Sequence, residues 1–263
     1  MKRPALHIVL FLVISLGLIH TGFAYIPSAE QILRPFQNLY NGLHTVKIDM
    51  KTVLYSRNLL DETDITEVSE QILIKRGGIF RSERSFPYGD NILIQDEKTA
   101  LNLGVETSNA GARRIDTVFP TLFFQTSVNN LLNALSALGV DTGTVRIDRM
   151  DGKTVFIAGK DFVEEPGSLL WIERERALPL RFVGIGMSGE ERIVLRAEYR
   201  NYRQVSKRFW FPERIEYYRD DVLWVVSTLK DITINEELPE VLFRISEEEN
   251  VGTPVTHFLN IKE

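Results

Sequence analysis

From Thr45 onward the chain alternates apolar with polar residues almost without pause, and that period of two commits it to β-strands. Val46, Ile48 and Met50 alternate with Lys47, Asp49 and Lys51. A strand over 66–76 follows, and Gly77-Gly78 turns it into another over 79–86. Shorter strands are expected at 91–95 and 100–103. Beyond Thr142, Val145 and Ile147 pair across the Asp151-Gly152 turn with Val155 and Ile157. Segments 169–173 and 180–185 make a hairpin around Ala177-Leu178-Pro179, and long strands follow at 193–202, 208–218 and 222–234. Asp220-Asp221 marks the last turn.

Two helical segments complete the pattern. Ser28, followed by Gln31, is a helix start, and Ile32, Phe36, Leu39 and Leu43 recur at helical spacing over 28–43, with Pro35 as the obstacle. The sheet is interrupted over 106–140 by a loop-like run at 107–112 and a dense apolar patch at 118–124. A helix then begins at Ser127, carries Leu131, Leu132, Leu135 and Leu138, and stops at Gly139. An antiparallel sheet of about ten to twelve strands curls, and its concave apolar face has to be filled. The 106–140 segment is the obvious filler. The expected fold class is mainly β with helices (α+β), a strongly curved antiparallel sheet closed by a helical lid.

Residues 1–24 are set apart from this domain. Lys2 and Arg3 precede an apolar run over 6–19, and Thr21-Gly22-Phe23-Ala24 offers small residues for cleavage after Ala24, the layout of a signal peptide. The run is shorter than the roughly 20 residues of a membrane span. The expected organisation is therefore a signal peptide over 1–24 and one domain over 25–263, located in the periplasm. The chain contains no cysteine, so a hydrophobic core rather than disulfides must stabilise it in an oxidising compartment. A net charge of −5, with basic residues scattered among acids, argues against a nucleic-acid partner.

Little in the chain points to covalent chemistry. Beyond residue 24 the histidines are His44 and His257, with no metal-ligand spacing and no phosphate-cradling glycine loop. Gly184-Ile185-Gly186 is a bare GxG on a strand, and Ser188-Gly189-Glu190 reads as a turn. The acidic runs Glu164-Glu165, Asp220-Asp221 and Glu247-Glu248-Glu249 lie beside a proline, a turn and the tail, where a solvated loop is the simpler reading. No catalytic residues, no metal and no cofactor are expected, and the chain is read as a non-enzyme.

The positive signal is apolar. Ile193, Leu195, Ala197 and Tyr199 share one strand face against Arg192, Arg196, Glu198 and Arg200. Phe209, Phe211, Ile215 and Tyr217 share the next, with Glu213 among them, and Val222, Trp224, Val226, Ile232 and Ile234 are expected together on the last. Such faces form an ordinary packed core by default, or else line a cavity for an apolar ligand. In the 66–76 strand, Val68, Glu70, Ile72, Ile74 and Arg76 lie on one face. A guanidinium on that side needs a partner, a route to water, or a role. Glu70 is a candidate partner, and Arg84, in phase with Phe80 and Phe86, is a second cation of the same kind.

Several of these motifs resemble a known family. Ile72-Leu73-Ile74-Lys75-Arg76 with Phe80-Arg81 resembles the LWVKRP..F.W stretch of the periplasmic lipoprotein carriers of the LolA family. Leu170-Trp171-Ile172-Glu173 followed by Leu178-Pro179-Leu180-Arg181 is similar to that superfamily's LWID…LP.R hairpin. Trp210-Phe211-Pro212 and Leu238-Pro239-Glu240-Val241-Leu242-Phe243 resemble outer-membrane lipoprotein-sorting proteins more widely. The resemblance implies a half-open barrel with a helical lid that holds the acyl chains of lipoproteins or lipids. It also implies an inner-membrane release complex and an outer-membrane acceptor as partners. Arg76 matches the arginine that helps the family's lid close and reopen, while Gly77 stands where the family has proline. The expected ligand contacts are Ile72, Ile74, Phe80, Tyr199, Phe211 and Trp224 on the wall, and Phe119, Leu122, Phe123, Leu131, Leu132 and Leu135 on the lid, with Arg76 as the latch. A sensor or regulatory module on the same scaffold, and a hydrolase using acidic residues, are the competing expectations.

Overall fold

The computed structural model of the protein describes residues 26–57, 63–95, 100–104, 118–160, 167–188 and 191–244. The expected signal peptide, the 107–112 loop, the acidic runs at 164–165 and 247–249, and His257 lie outside these residues. Helix α1 is Ala29–Leu39. Strands β1 (Thr45–Arg57), β2 (Thr63–Lys75), β3 (Ile79–Phe86), β4 (Gly89–Gln95) and β5 (Ala100–Gly104) follow. Helices α2 (Val118–Phe123) and α3 (Val128–Ala137) separate them from β6 (Val145–Met150), β7 (Lys153–Ala158), β8 (Leu169–Glu173) and β9 (Pro179–Ser188). The chain then runs through β10 (Glu191–Gln204), β11 (Trp210–Arg219) and β12 (Val222–Ile234) to a 3-10 turn at Glu240–Phe243.

All twelve strands belong to one antiparallel sheet, in the order β5-β4-β3-β2-β1-β12-β11-β10-β9-β8-β7-β6. Neighbours in space are neighbours in sequence except at the centre, where β1 pairs with β12. The outer strands β5 and β6 do not pair with each other, so the barrel stays open. Its curvature is evident from the core, because one apolar cluster takes side chains from β1 to β4 and from β7 to β12.

Local sequence accounts for the helices. Ser28 caps α1 through a reciprocal box: Gln31 N–H donates to Ser28 Oγ at 3.3 Å, and Ser28 N–H donates to Gln31 Oε1 at 2.9 Å. The helix ends at Leu39 rather than 43, and Gly42, at φ 94°, takes the chain into β1 while Leu43 remains in the core. Ser127 caps α3, accepting from Asn130 N–H at 3.1 Å. The 118–124 patch forms a third helix, α2, where periodicity alone gave only an apolar run.

One expected face is corrected by a bulge. The register between β1 and β12 shifts at Asp49/Met50, so that Asp49 faces Asp231 but Met50 faces Leu229. The extra residue reverses the alternation in β12. Leu229, Ser227 and Val225 therefore join Ile232 and Ile234 on the inner side, whereas Val226 faces Val53 and Glu216 on the other. Val222 is exposed at the strand start.

On the outer face of β9 to β11, Glu198 pairs with Arg181 at 2.8 Å and Arg196 at 3.5 Å, and Glu216 pairs with Arg200 at 2.9 Å and Arg214 at 2.6 Å. Alternation assigns these charges to the side opposite Ala197 and Tyr199.

Candidate functional site

The interior of the half-barrel is occupied by the protein's own side chains. Ile72, Ile74, Phe80, Phe119, Leu122, Phe123, Leu131, Leu135, Tyr199, Phe211 and Trp224 all belong to the one core cluster, and Leu132 packs against it. The sequence-expected wall and lid residues are therefore brought together, with lid packed on wall. Phe123 is the hub. Its ring lies 4.7 Å from Phe119, 5.2 Å from Tyr40, 5.3 Å from Phe36, 5.9 Å from Tyr199 and 6.4 Å from Phe211. Aromatic pairs at such spacings each add about 0.5–1.5 kcal/mol beyond their buried area.

Among the described residues, polar contacts hold the end of α2 to the strand wall and to α1. Gly77 N–H donates to the Phe124 carbonyl at 3.0 Å from a backbone at φ 98°, which a glycine adopts without strain. A proline there would lack the donor. Arg76, just past the end of β2, donates through Nη2 to Asn41 Oδ1 and to the Thr126 carbonyl, each at 3.2 Å. Gln37 Nε2 donates to the same Thr126 carbonyl at 3.4 Å. Arg76 thus connects three parts of the fold: the end of β2, the turn after α1, and the junction of α2 with α3.

Glu70 does not pair with Arg76. It lies inside the sheet, 3.0 Å from Arg84 Nε, and accepts from Ser82 Oγ and Thr52 Oγ1 at 2.7 Å each. Burial by itself pushes this carboxyl up. The Arg84 charge and the two hydroxyls outweigh burial and hold it below the usual carboxylate range. Tyr199 has the opposite character. It is 2% exposed, its hydroxyl has no hydrogen-bond partner among the described residues, and burial pushes the phenol far up.

Sequence reasoning missed an open groove of about 530 Å³. Ile32, Pro35 and Leu39 of α1 form one bank, and Phe156, Ile172 and the 173–177 turn form the other. Ile32, Ile172 and Ala177 also belong to the core cluster, so the groove floor is continuous with the filled interior. The rim is charged: Glu173 pairs with Arg176 at 2.7 Å and Lys153 at 3.3 Å. Pro35, an anomaly in a helix, was the available sequence signal, but the other bank comes from strands remote in the chain.

Among the described residues no group of three His, Asp or Glu side chains could hold a metal ion. No described helix is long and apolar enough to cross a membrane. Asp220 and Asp221 occupy a tight turn at φ 48° and 64°, where Asp220 accepts from Val194 N–H at 2.8 Å.

No protein-family model matches the chain, and no curated protein does. Solved structures do match its shape. A LolA superfamily protein from Nitrosomonas europaea superposes with a TM-score of 0.50 at 14% identity, over 84% of this chain and 99% of that one. A DUF1329 family protein from Desulfovibrio piger gives a TM-score of 0.50 at 10% identity, over 82% and 95% of the two chains. The chain therefore has the LolA-like fold, an open antiparallel half-barrel with helices packed into its concave face.

Proposed function

We propose that the protein is a periplasmic carrier that takes the acyl chains of lipoproteins or lipids into the half-barrel and passes them toward the outer membrane. One observation carries the reading: an open, largely apolar groove shares Ile32, Ile172 and Ala177 with an interior that a short helix fills with aromatic side chains. Acyl chains entering along Ile32 and Ile172 would displace the α2 aromatics and take over their contacts with Phe211 and Tyr199. Each buried methylene contributes about 0.8 kcal/mol, enough for two or three chains to compete with the helix. The LolA-like fold is consistent with this use, and the signal-peptide pattern at the start of the chain supports export.

In this scheme Arg76 is the latch. Arg76→Glu breaks its bonds to Asn41 and Thr126 at a partly exposed site, so stability should fall by only about 1 kcal/mol. Release of a fluorescent acyl probe, followed by stopped flow, should change about fivefold, the equivalent of that energy in the closed state. An unchanged release rate would remove Arg76 from the latch.

The direct test is a thermal melt with and without a triacylated peptide, together with mass spectrometry of the organic extract of protein purified from membrane-bearing cells. A higher midpoint and stoichiometric lipid are expected; neither appearing would sink the proposal. Transfer to acceptor vesicles distinguishes a carrier from a sensor, which would retain lipid and capture a protein partner instead.

A further inference from the structure

Tyr199 stands out where α2 meets the wall. Its hydroxyl is buried without a hydrogen-bond partner among the described residues, and its ring lies 6.3 Å from Phe119 and 5.9 Å from Phe123, both on α2. A phenylalanine would fill the same space without stranding a polar group, because removing an unsatisfied buried hydroxyl is neutral or stabilising. The filled state therefore gives the oxygen nothing to do. The neighbouring strand offers no substitute, since the residue opposite Tyr199 is Ile215. By contrast, the other buried tyrosine of this aromatic cluster, Tyr40, donates its hydroxyl to the Trp210 carbonyl.

We infer that Tyr199 is a carbonyl-binding subsite: when α2 withdraws, its hydroxyl donates to the ester or amide carbonyl of an acylated ligand. This rests on the acyl-binding reading above and narrows it to a chemical class. Withdrawal of Phe119 and Phe123 uncovers the tyrosine, and an acyl chain offers an acceptor only where it joins its glycerol, cysteine or amine. The subsite would thus hold the linkage end of one chain against β10 while the hydrocarbon runs along the wall. It also separates acyl lipids from alkyl ethers of the same length and headgroup, which an apolar cavity alone cannot distinguish.

The experiment compares dioleoyl phosphatidylglycerol with its dialkyl-ether analogue on the full chain, by displacement of a fluorescent probe. Wild type should bind the ester about threefold to tenfold more tightly, the range of one added hydrogen bond. Tyr199→Phe should bind both at the ether level, with an unfolding midpoint unchanged or higher in the absence of lipid. Equal binding of ester and ether by wild type would overturn the subsite while leaving acyl binding intact. So would an ester preference that survives Tyr199→Phe, or a lowered midpoint in that variant, which would mean that the hydroxyl already has a partner. Binding of neither lipid would overturn the acyl-binding reading and the subsite together.

Discussion

Glu70→Ala is expected to cost about 3–5 kcal/mol of unfolding free energy, the usual penalty for removing one member of a buried ion pair. The carboxylate is 4% exposed and meets Arg84, Ser82 and Thr52 within the sheet, and Thr52 is in turn 2.9 Å from Ser227. Removing it takes a buried charge partner from Arg84 and an acceptor from two hydroxyls at once. Replacing both charges with apolar residues, Glu70→Leu with Arg84→Met, should recover most of the loss, because the pair's net contribution is far smaller than the cost of breaking it. Urea unfolding measures both. A loss below about 1 kcal/mol for Glu70→Ala would mean the charges are solvated rather than locked. The effect depends on pH in a defined direction. The folded carboxyl is held below its ordinary value, so its stabilisation is present above the unfolded pKa and fades as pH falls through the folded one. The gap between wild type and Glu70→Ala should therefore be widest near neutrality and should close under acid.

Phe123→Ala is expected to separate stability from ligand affinity. A buried phenylalanine truncated to alanine costs about 3–5 kcal/mol in a rigid core. Here the ring belongs to α2, the element that would compete with acyl chains for the interior. Weakening the helix lowers the unfolding midpoint, but it also raises the fraction of molecules with the interior open. Each 1.4 kcal/mol taken from the closed state raises apparent ligand affinity about tenfold. Binding of a hydrophobic dye and of a triacylated peptide should both increase, and Phe123→Leu should give a smaller change of the same sign. If affinity dropped in step with stability, Phe123 would be a fixed part of the binding wall and α2 would not be its competitor.

The strands were the most legible part of the molecule, because each half-buried strand writes its own period of two. The alternation placed Ile72, Ile74 and Phe80 inward, as found in the core. It failed in β12, where the bulge beside Asp49 adds a residue that no local pattern reveals. Helix α2 was missed because Pro120 and three phenylalanines in seven residues obscure any periodicity. Parity put Glu70 and Arg76 on one face but could not say that Glu70 would turn to Arg84 on β3, which is a matter of register. The groove was illegible for a similar reason, being assembled from α1, β7, β8 and a turn that meet only after folding.

The central β1–β12 pairing sets the order in which the protein can mature. β1 emerges first and must wait for the final strand before its second edge is matched. Hairpins on either side can form at once, since their partners are adjacent in sequence, yet the two halves unite only through the most distant pairing in the sheet. Until then β1 and β11 each present an unsatisfied edge beside an uncovered apolar surface, the arrangement most prone to intermolecular strand exchange. A chain cut short before Val222 would remain permanently at that stage, so intact completion of the last strand is the checkpoint separating a finished molecule from an aggregating one.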